Sequence, residues 1–159
     1  MSNEINIRFA RHQDHEVVGV LTWELLNELF PKYADQFDQS KFITTAQTLL
    51  SEGKRFWSLV AEINHEIVAA LNINECAAIY TSGSFGEITE FYIKPSFRSK
   101  GIGAKLVEAA KKFCAEKGWS VLEVGAPPSD PWQRTIDFYH ENGFSTIGPR
   151  LETTITPLL

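Results

Sequence analysis

The chain has 159 residues, 43% hydrophobic and 22% charged, with a formal net charge of −5; these are globular values, and the length is enough to bury one core. The acidic balance, with a pI near 5.4, argues against a general affinity for nucleic acid, and no stretch reaches the roughly 20 apolar residues of a membrane span. The start, MSNEINIRFAR, lacks a run of signal-peptide type, and Cys76 and Cys114 have neither metal nor redox spacing, so a single domain over 1–159, in the reducing cytoplasm and without a metal, is expected.

Ile5, Ile7 and Phe9 alternate with polar residues and predict an opening strand. Asp14 is expected to cap a helix with Val17, Val18, Leu21, Leu25 and Leu29 on one face, ended by Pro31. A second helix is expected after Asp38, carrying Phe42, Ala46, Leu49 and Leu50 and closed by Gly53. Two β-rich runs, 56–63 and 66–74, flank Asn64-His65, which predicts a two-residue hairpin. Residues 76–84 look looser, with a turn at Thr81-Ser82-Gly83-Ser84.

The stretch 86–118 organises the chain. Ile88, Phe91, Tyr92 and Ile93 suit a strand that Pro95 should stop. Ile102, Leu106, Ala110 and Phe113 then recur at helical spacing, up to Gly118. Between them runs Arg98-Ser99-Lys100-Gly101-Ile102-Gly103. The two glycines let a ligand approach the backbone, and the free amides and macrodipole at the helix start favour an anion, most naturally a phosphate. Lys94, Arg98, Lys100 and Lys105 surround the turn with no Asp or Glu among them. A dinucleotide fingerprint fails because Leu106 stands where its third glycine belongs, and no Walker A run exists.

Downstream, 120–125 predicts a short strand. Asp130, Pro131 and Gln133 predict a helix start with a capping box, and Trp132, Ile136 and Tyr139 share one face of that helix. Gly143 should end it, and 144–147 and 151–157 predict a last pair of strands about Gly148-Pro149. The expected order is β-α-α-β-β-β-α-β-α-β-β, an α/β fold with a mixed, mostly antiparallel sheet flanked by helices.

The strand-loop-helix with Arg98-x-x-Gly101-x-Gly103, followed by Phe138-Tyr139 and Gly143-Phe144, resembles the GNAT superfamily of acyl-CoA-dependent N-acyltransferases. The likeness is strongest over 86–144 and implies the GNAT fold. It implies that acetyl-CoA is held along the strand by Phe91, Tyr92 and Ile93. Arg98, Ser99, Lys100, Gly101, Ile102, Gly103 and Ala104 would hold it in the loop and helix start, with backbone amides on the pyrophosphate. It also implies that the helical region carrying His12, His15, Trp23, Phe30, Tyr33 and Phe37 covers the substrate side of the cleft, although Trp23, Phe30 and Phe37 are each read as ordinary core or cap residues. Trp132 and Thr135 stand where many members carry Asn and Ala, which bears on fine positioning of the cofactor.

A primary amine is almost wholly ammonium at neutral pH, so acyl transfer by direct attack needs a base for the amine and an acid for the thiolate. The resemblance assigns the acid to Tyr139. It favours Glu87 as the base, with Glu90 and ordered water as rivals. In a regular strand the two glutamates face opposite ways, and a bulge would change that. The function expected is acetyl transfer from acetyl-CoA to a small amine. A protein N-terminal or lysine acetyltransferase and a non-catalytic acyl-CoA-binding module are the alternatives, and covalent catalysis by Cys114 or Cys76 ranks lower. No membrane or nucleic-acid partner is expected, and exposed aromatics leave a homodimer open.

Overall fold

The structure, a computed structural model, describes residues 4–158. Its elements are β1 (Asn6–Phe9), α1 (His15–Leu29), α2 (Gln39–Glu52), β2 (Phe56–Ile63), β3 (Glu66–Ala78), β4 (Gly83–Ile93), α3 (Ile102–Glu116), β5 (Leu122–Val124) and α4 (Ser129–Glu141). Short 3-10 turns occupy His12–Asp14, Pro31–Gln36 and Pro95–Phe97. The chain divides into two compact units, Met1–Val124 and Gly125–Leu159, which are taken in turn. Among the described residues no helix is long and apolar enough to cross a membrane.

The first unit holds a five-stranded sheet in the order β1-β2-β3-β4-β5. All its neighbours are antiparallel except β4 and β5, which are parallel because α3 provides the crossover between them. Asn64 and His65 both take positive φ (51° and 66°), the geometry of a tight two-residue hairpin. Residues 76–84 are more regular than their sequence suggests. Cys76, Ala77 and Ala78 pair with Phe85, Ser84 and Gly83, and the buried Thr81 ties the turn through Oγ1 to the carbonyls of Ala78 (2.9 Å) and Gly83 (2.7 Å). Backbone pairing thus outlasts the apolar alternation that announces it.

One face of the sheet packs on α1 and α2, burying Val18, Leu21, Ala46, Val60, Ile67, Ala70 and Tyr92 together. The other face takes α3, whose Ile102, Leu106, Val107, Ala110 and Phe113 are buried, with Phe113 against Phe9 and Trp57. The predicted helical periodicity is therefore the inward face. Gly118 takes the left-handed position past the helix end (φ 78°). Gly86 sits where a Cβ would press on Cys114, Leu122 and Trp119 at 3.1–3.4 Å, so its lack of a side chain lets β4 lie close to α3 and β5.

Asp38 caps α2 through the Ser40 amide (3.0 Å) and Gly53 ends it in the left-handed region, as predicted. Asp14 differs from expectation. It stands before α1 but makes no cap bond to that helix. Its carboxylate accepts instead from the Arg11 amide (2.7 Å) and from Arg8 Nη1 (2.8 Å). Arg8 also bonds Glu62 (3.1 Å), and the bond from Arg8 holds the Asp14 carboxyl below its usual range. A cation delivered from β1 outcompetes the neutral amides of the next turn.

In the second unit α4 starts at Ser129, one residue before the predicted cap. Asp130 is extended (φ −107°, ψ 118°) inside that first turn, and Gln133 donates forward to Asp137 (2.8 Å). The predicted capping box is therefore absent. The two final predicted strands also do not form among the described residues, where 144–158 carry no ladder. Ile147, Leu151 and Ile155 are exposed. Alternation supplies a face, but a strand also needs a neighbouring edge to pair with.

Candidate active site

The loop between β4 and α3 is built by two left-handed residues, Ser99 (φ 62°) and Gly101 (φ 82°). Gly101 is the N-cap of α3, and among the described residues no side chain caps this helix. Its first-turn amides and the positive end of its dipole are left for an incoming anion. A Cβ at Gly101 would meet nothing within 4 Å, so its φ, not crowding, calls for glycine there. That same open space keeps the backbone accessible. Ile102 and Gly103 are buried and anchor the first turn on the sheet, Ala104 is half-buried, and Lys100 and Lys105 are exposed.

Arg98 is engaged within the protein. Its Nε donates to the Ile93 carbonyl (2.8 Å), and Nη1 and Nη2 form a fork on the two Glu28 oxygens (both 2.8 Å). The guanidinium lies 5.2 Å from the Tyr92 ring centroid, and the bond to Glu28 raises its pKa. Arg98 thus fastens the loop to α1 and to the end of β4. Glu28, seventy positions earlier, is a partner of this loop that motif spacing could not reveal. Since the pair is about a third exposed, its two-pronged geometry contributes about 1 kcal/mol. Glu28→Ala should lower stability by about that amount. Thermal unfolding checks the effect.

β4 also carries the bulge that decides where its glutamates point. Glu87 pairs with Asn74, Ile88 with Ile73 and Glu90 with Asn72, which leaves Thr89 as an extra residue. Asn72 and Asn74 are two apart on β3 and share a face, so Glu87 and Glu90 share it too. The regular-strand expectation of opposite faces is thereby corrected. The shared face is that of α1, because Asn72 Nδ2 donates to Thr22 Oγ1 (3.1 Å) on that helix. Glu90 Oε1 accepts from Asn72 Nδ2 (2.9 Å) and Thr89 Oγ1 (2.8 Å). Glu87 is also in register with Glu123 of β5, whose carboxylate accepts from the Tyr80 hydroxyl (2.5 Å). That bond, with lesser effects from burial, Glu123, Cys76 and Glu87, raises the Tyr80 pKa.

Phe91, Tyr92 and Ile93 pair with Leu71, Ala70 and Ala69 along one edge of β4. On the other edge the ladder with β5 covers only Gly86, Glu87 and Ile88. Beyond it, among the described residues, β4 has no strand on that side. Backbone groups there are placed to pair with an amide-bearing ligand. Tyr92 is buried, and burial, then Glu24 and Glu28, raise its pKa.

Tyr139 lies in α4, 8% exposed, edge-on to Phe138 (5.5 Å) and Phe144 (5.4 Å). Burial pushes its pKa up to about 12, so the phenol keeps its proton throughout the neutral range. Trp132 and Thr135 are half-buried on the same helix. Burial also pushes the Cys114 thiol up, away from a nucleophilic thiolate. The Cys76 sulfur accepts from Asn74 Nδ2 (3.6 Å). Trp23 Nε1 donates to the Phe37 carbonyl (2.8 Å), which makes it a tie between α1 and the segment after it.

Residues 14–144 match the acetyltransferase (GNAT) family. The chain is 31% identical over 151 residues to an IAA acetyltransferase of Azospirillum brasilense, covering 91% of this chain and 88% of that protein. It is 37% identical over 67 residues to an uncharacterized N-acetyltransferase of Archaeoglobus fulgidus, a match spanning 42% of this chain and 46% of that one. Its fold is shared with an aminoglycoside acetyltransferase from an uncultured soil metagenomic sample (TM-score 0.76, 22% identity, 98% of each chain covered). An aminoglycoside N-acetyltransferase solved with CoA has the same fold (TM-score 0.73, 14% identity, 98% of this chain and 97% of that one covered). On this match the chain belongs to the GNAT acetyltransferase family and is an enzyme of the acyltransferase class.

Proposed function

We propose that the protein moves the acetyl group of acetyl-CoA to the primary amine of a small molecule by direct attack. The observation that carries this is the junction of β4 and α3. An uncapped helix start behind Gly101 suits a pyrophosphate, and the adjoining length of β4 has an edge that no strand among the described residues covers. One ligand with a diphosphate at one end and amides along its arm meets both needs. The same fold in an enzyme solved with CoA supports that identity, and aminoglycoside acetyltransferases of the same fold favour a small-molecule acceptor. The family match runs from 14 to 144, which supports treating 1–159 as one functional domain.

In this reading the loop 98–104 holds the diphosphate through backbone amides, with Lys100 and Lys105 adding charge around it. Phe91, Tyr92 and Ile93 present backbone to the pantetheine arm. The acceptor arrives as ammonium and gives one proton to Glu87, the leading base, or to Glu90 or water beside it. Its nitrogen then bonds to the thioester carbon. The C–S bond breaks as the tetrahedral intermediate collapses, and the nitrogen loses a second proton to solvent. Tyr139 supplies the proton taken up by the departing sulfur, and is afterwards reprotonated. One proton is released net per turnover. A phenol with a pKa of about 12 stays available as a donor at any pH where the acceptor can be deprotonated.

The test is CoA release with butylamine, 1,4-diaminobutane and kanamycin. Tyr139→Phe is expected to lower kcat about 100-fold, within the range of general acid catalysis, while leaving CoA affinity intact. Glu87→Gln should lower kcat by about 10-fold or more. Unchanged rates in both variants would remove both residues from the mechanism. Tight CoA binding with no turnover by the unmodified protein would point to a binding module instead.

A further inference from the structure

Asn72 occupies the middle of β3, between Leu71 and Ile73, and is 3% exposed. Its amide makes two bonds, both from Nδ2: one to Thr22 Oγ1 on α1 and one to Glu90 Oε1 on β4. Among the described residues no donor reaches its Oδ1. Among the same residues the hydroxyl of Ser58, beside it in the β2–β3 register and itself buried, is also unpaired. A buried polar atom left unpaired destabilises the fold, and an apolar side chain of the same shape would not incur that cost. An amide so placed asks for a reason beyond packing. Nδ2 supplies one. With Thr89, it fixes Glu90 through Oε1, which leaves Oε2 for a ligand on the face shared with α1.

We propose that Asn72 is a positioning residue that holds Glu90 as the carboxylate binding the acceptor's ammonium group, which makes the acceptors of this enzyme cationic amines. The inference rests on the acetyl-transfer reading above. It extends that reading by separating the two glutamates that the Thr89 bulge brings to one face. Glu87 leads as the base, and Glu90 holds the acceptor. Thr22 stays satisfied without Asn72, because its own hydroxyl also donates to the Val18 carbonyl (3.0 Å). Replacing the amide therefore removes a contact to Glu90 without stranding the helix.

The experiment compares Asn72→Leu, Asn72→Val and Glu90→Gln, alone and combined, using the best substrate among butylamine, 1,4-diaminobutane and kanamycin. Asn72→Leu and Asn72→Val should raise KM for the amine about 10-fold. KM for acetyl-CoA should stay unchanged, and Tm should hold or rise. Against a Glu90→Gln background neither change should add to the effect, since both act through one carboxylate. A merely structural Asn72 would instead lower Tm, or add its full cost to Glu90→Gln, and either result overturns the proposal. No CoA release with any of the amines by the unmodified protein would overturn the acetyl-transfer reading and this proposal with it. Turnover with additive variants would overturn this proposal alone.

Discussion

Gly101→Asp is expected to abolish CoA binding while the protein still folds. Gly101 is the N-cap of α3 at φ 82°, with no side chain on the first-turn amides. Asp is among the residues that best tolerate a left-handed backbone, and its carboxylate is a strong acceptor for amides at a helix start. The new side chain would thus occupy the groups proposed to hold the diphosphate and repel it by charge. The expected change is at least about 100-fold in Kd for CoA, the order of a few charge-assisted bonds lost together. Gly101→Ala is the control. A Cβ there meets open space, so it should cost only about 1–2 kcal/mol of backbone strain and leave measurable binding. Calorimetric titration with CoA checks both variants, and unaltered affinity in the Asp variant would rule out the anion site.

The largest stability change is expected at Gly19. From sequence, a glycine inside a helix invites replacement by alanine, with a gain of about 1 kcal/mol from propensity. Tertiary packing reverses the sign. A Cβ on Gly19 would lie 2.6 Å from Ile43 Cα, 2.9 Å from Ile43 N and 3.0 Å from the Phe42 carbonyl oxygen. All three are backbone atoms of α2, so no side chain can turn away and the two helices must move apart. Overpacking of this kind costs about 1–3 kcal/mol. Gly19→Ala should sit at the upper end, and Gly19→Val, with its β-branch, beyond it. For a chain of this length each kcal/mol moves Tm by about 2–4 °C, so a fall of roughly 5–10 °C is expected for Gly19→Ala. An unchanged or higher Tm would mean that α1 and α2 do not cross so closely.

The strand-loop-helix from Gly86 to Gly118 is legible in the sequence itself, because each of its signals is local. Pro95 ends a strand, Gly101 admits a left-handed φ, and Ile102, Leu106, Ala110 and Phe113 mark one face of a helix. The hairpin at Asn64-His65 and the caps of α2 belong to the same class. The likeness to the GNAT family is carried by short runs of this kind, and the family match spans 14–144.

Other features have no local signal. Period-two alternation places Glu87 and Glu90 on opposite faces, and only the pairing of β4 with β3 squeezes Thr89 out of register and brings them together. No local signal pairs Arg98 with Glu28, which only the fold carries to it. Asp14 reads as a helix cap until β1 supplies Arg8. The apolar alternation after Phe144 reads as strand, yet those residues find no ladder among the described ones. Sequence alone determined the strand-turn-helix of 86–118, the 64–65 hairpin and the limits of α2, since backbone geometry and side-chain period act there within a few residues. Tertiary structure decided which charges meet and which face a side chain takes. Those outcomes depend on register and packing between segments far apart in the chain, where a single extra residue or one competing partner changes the result.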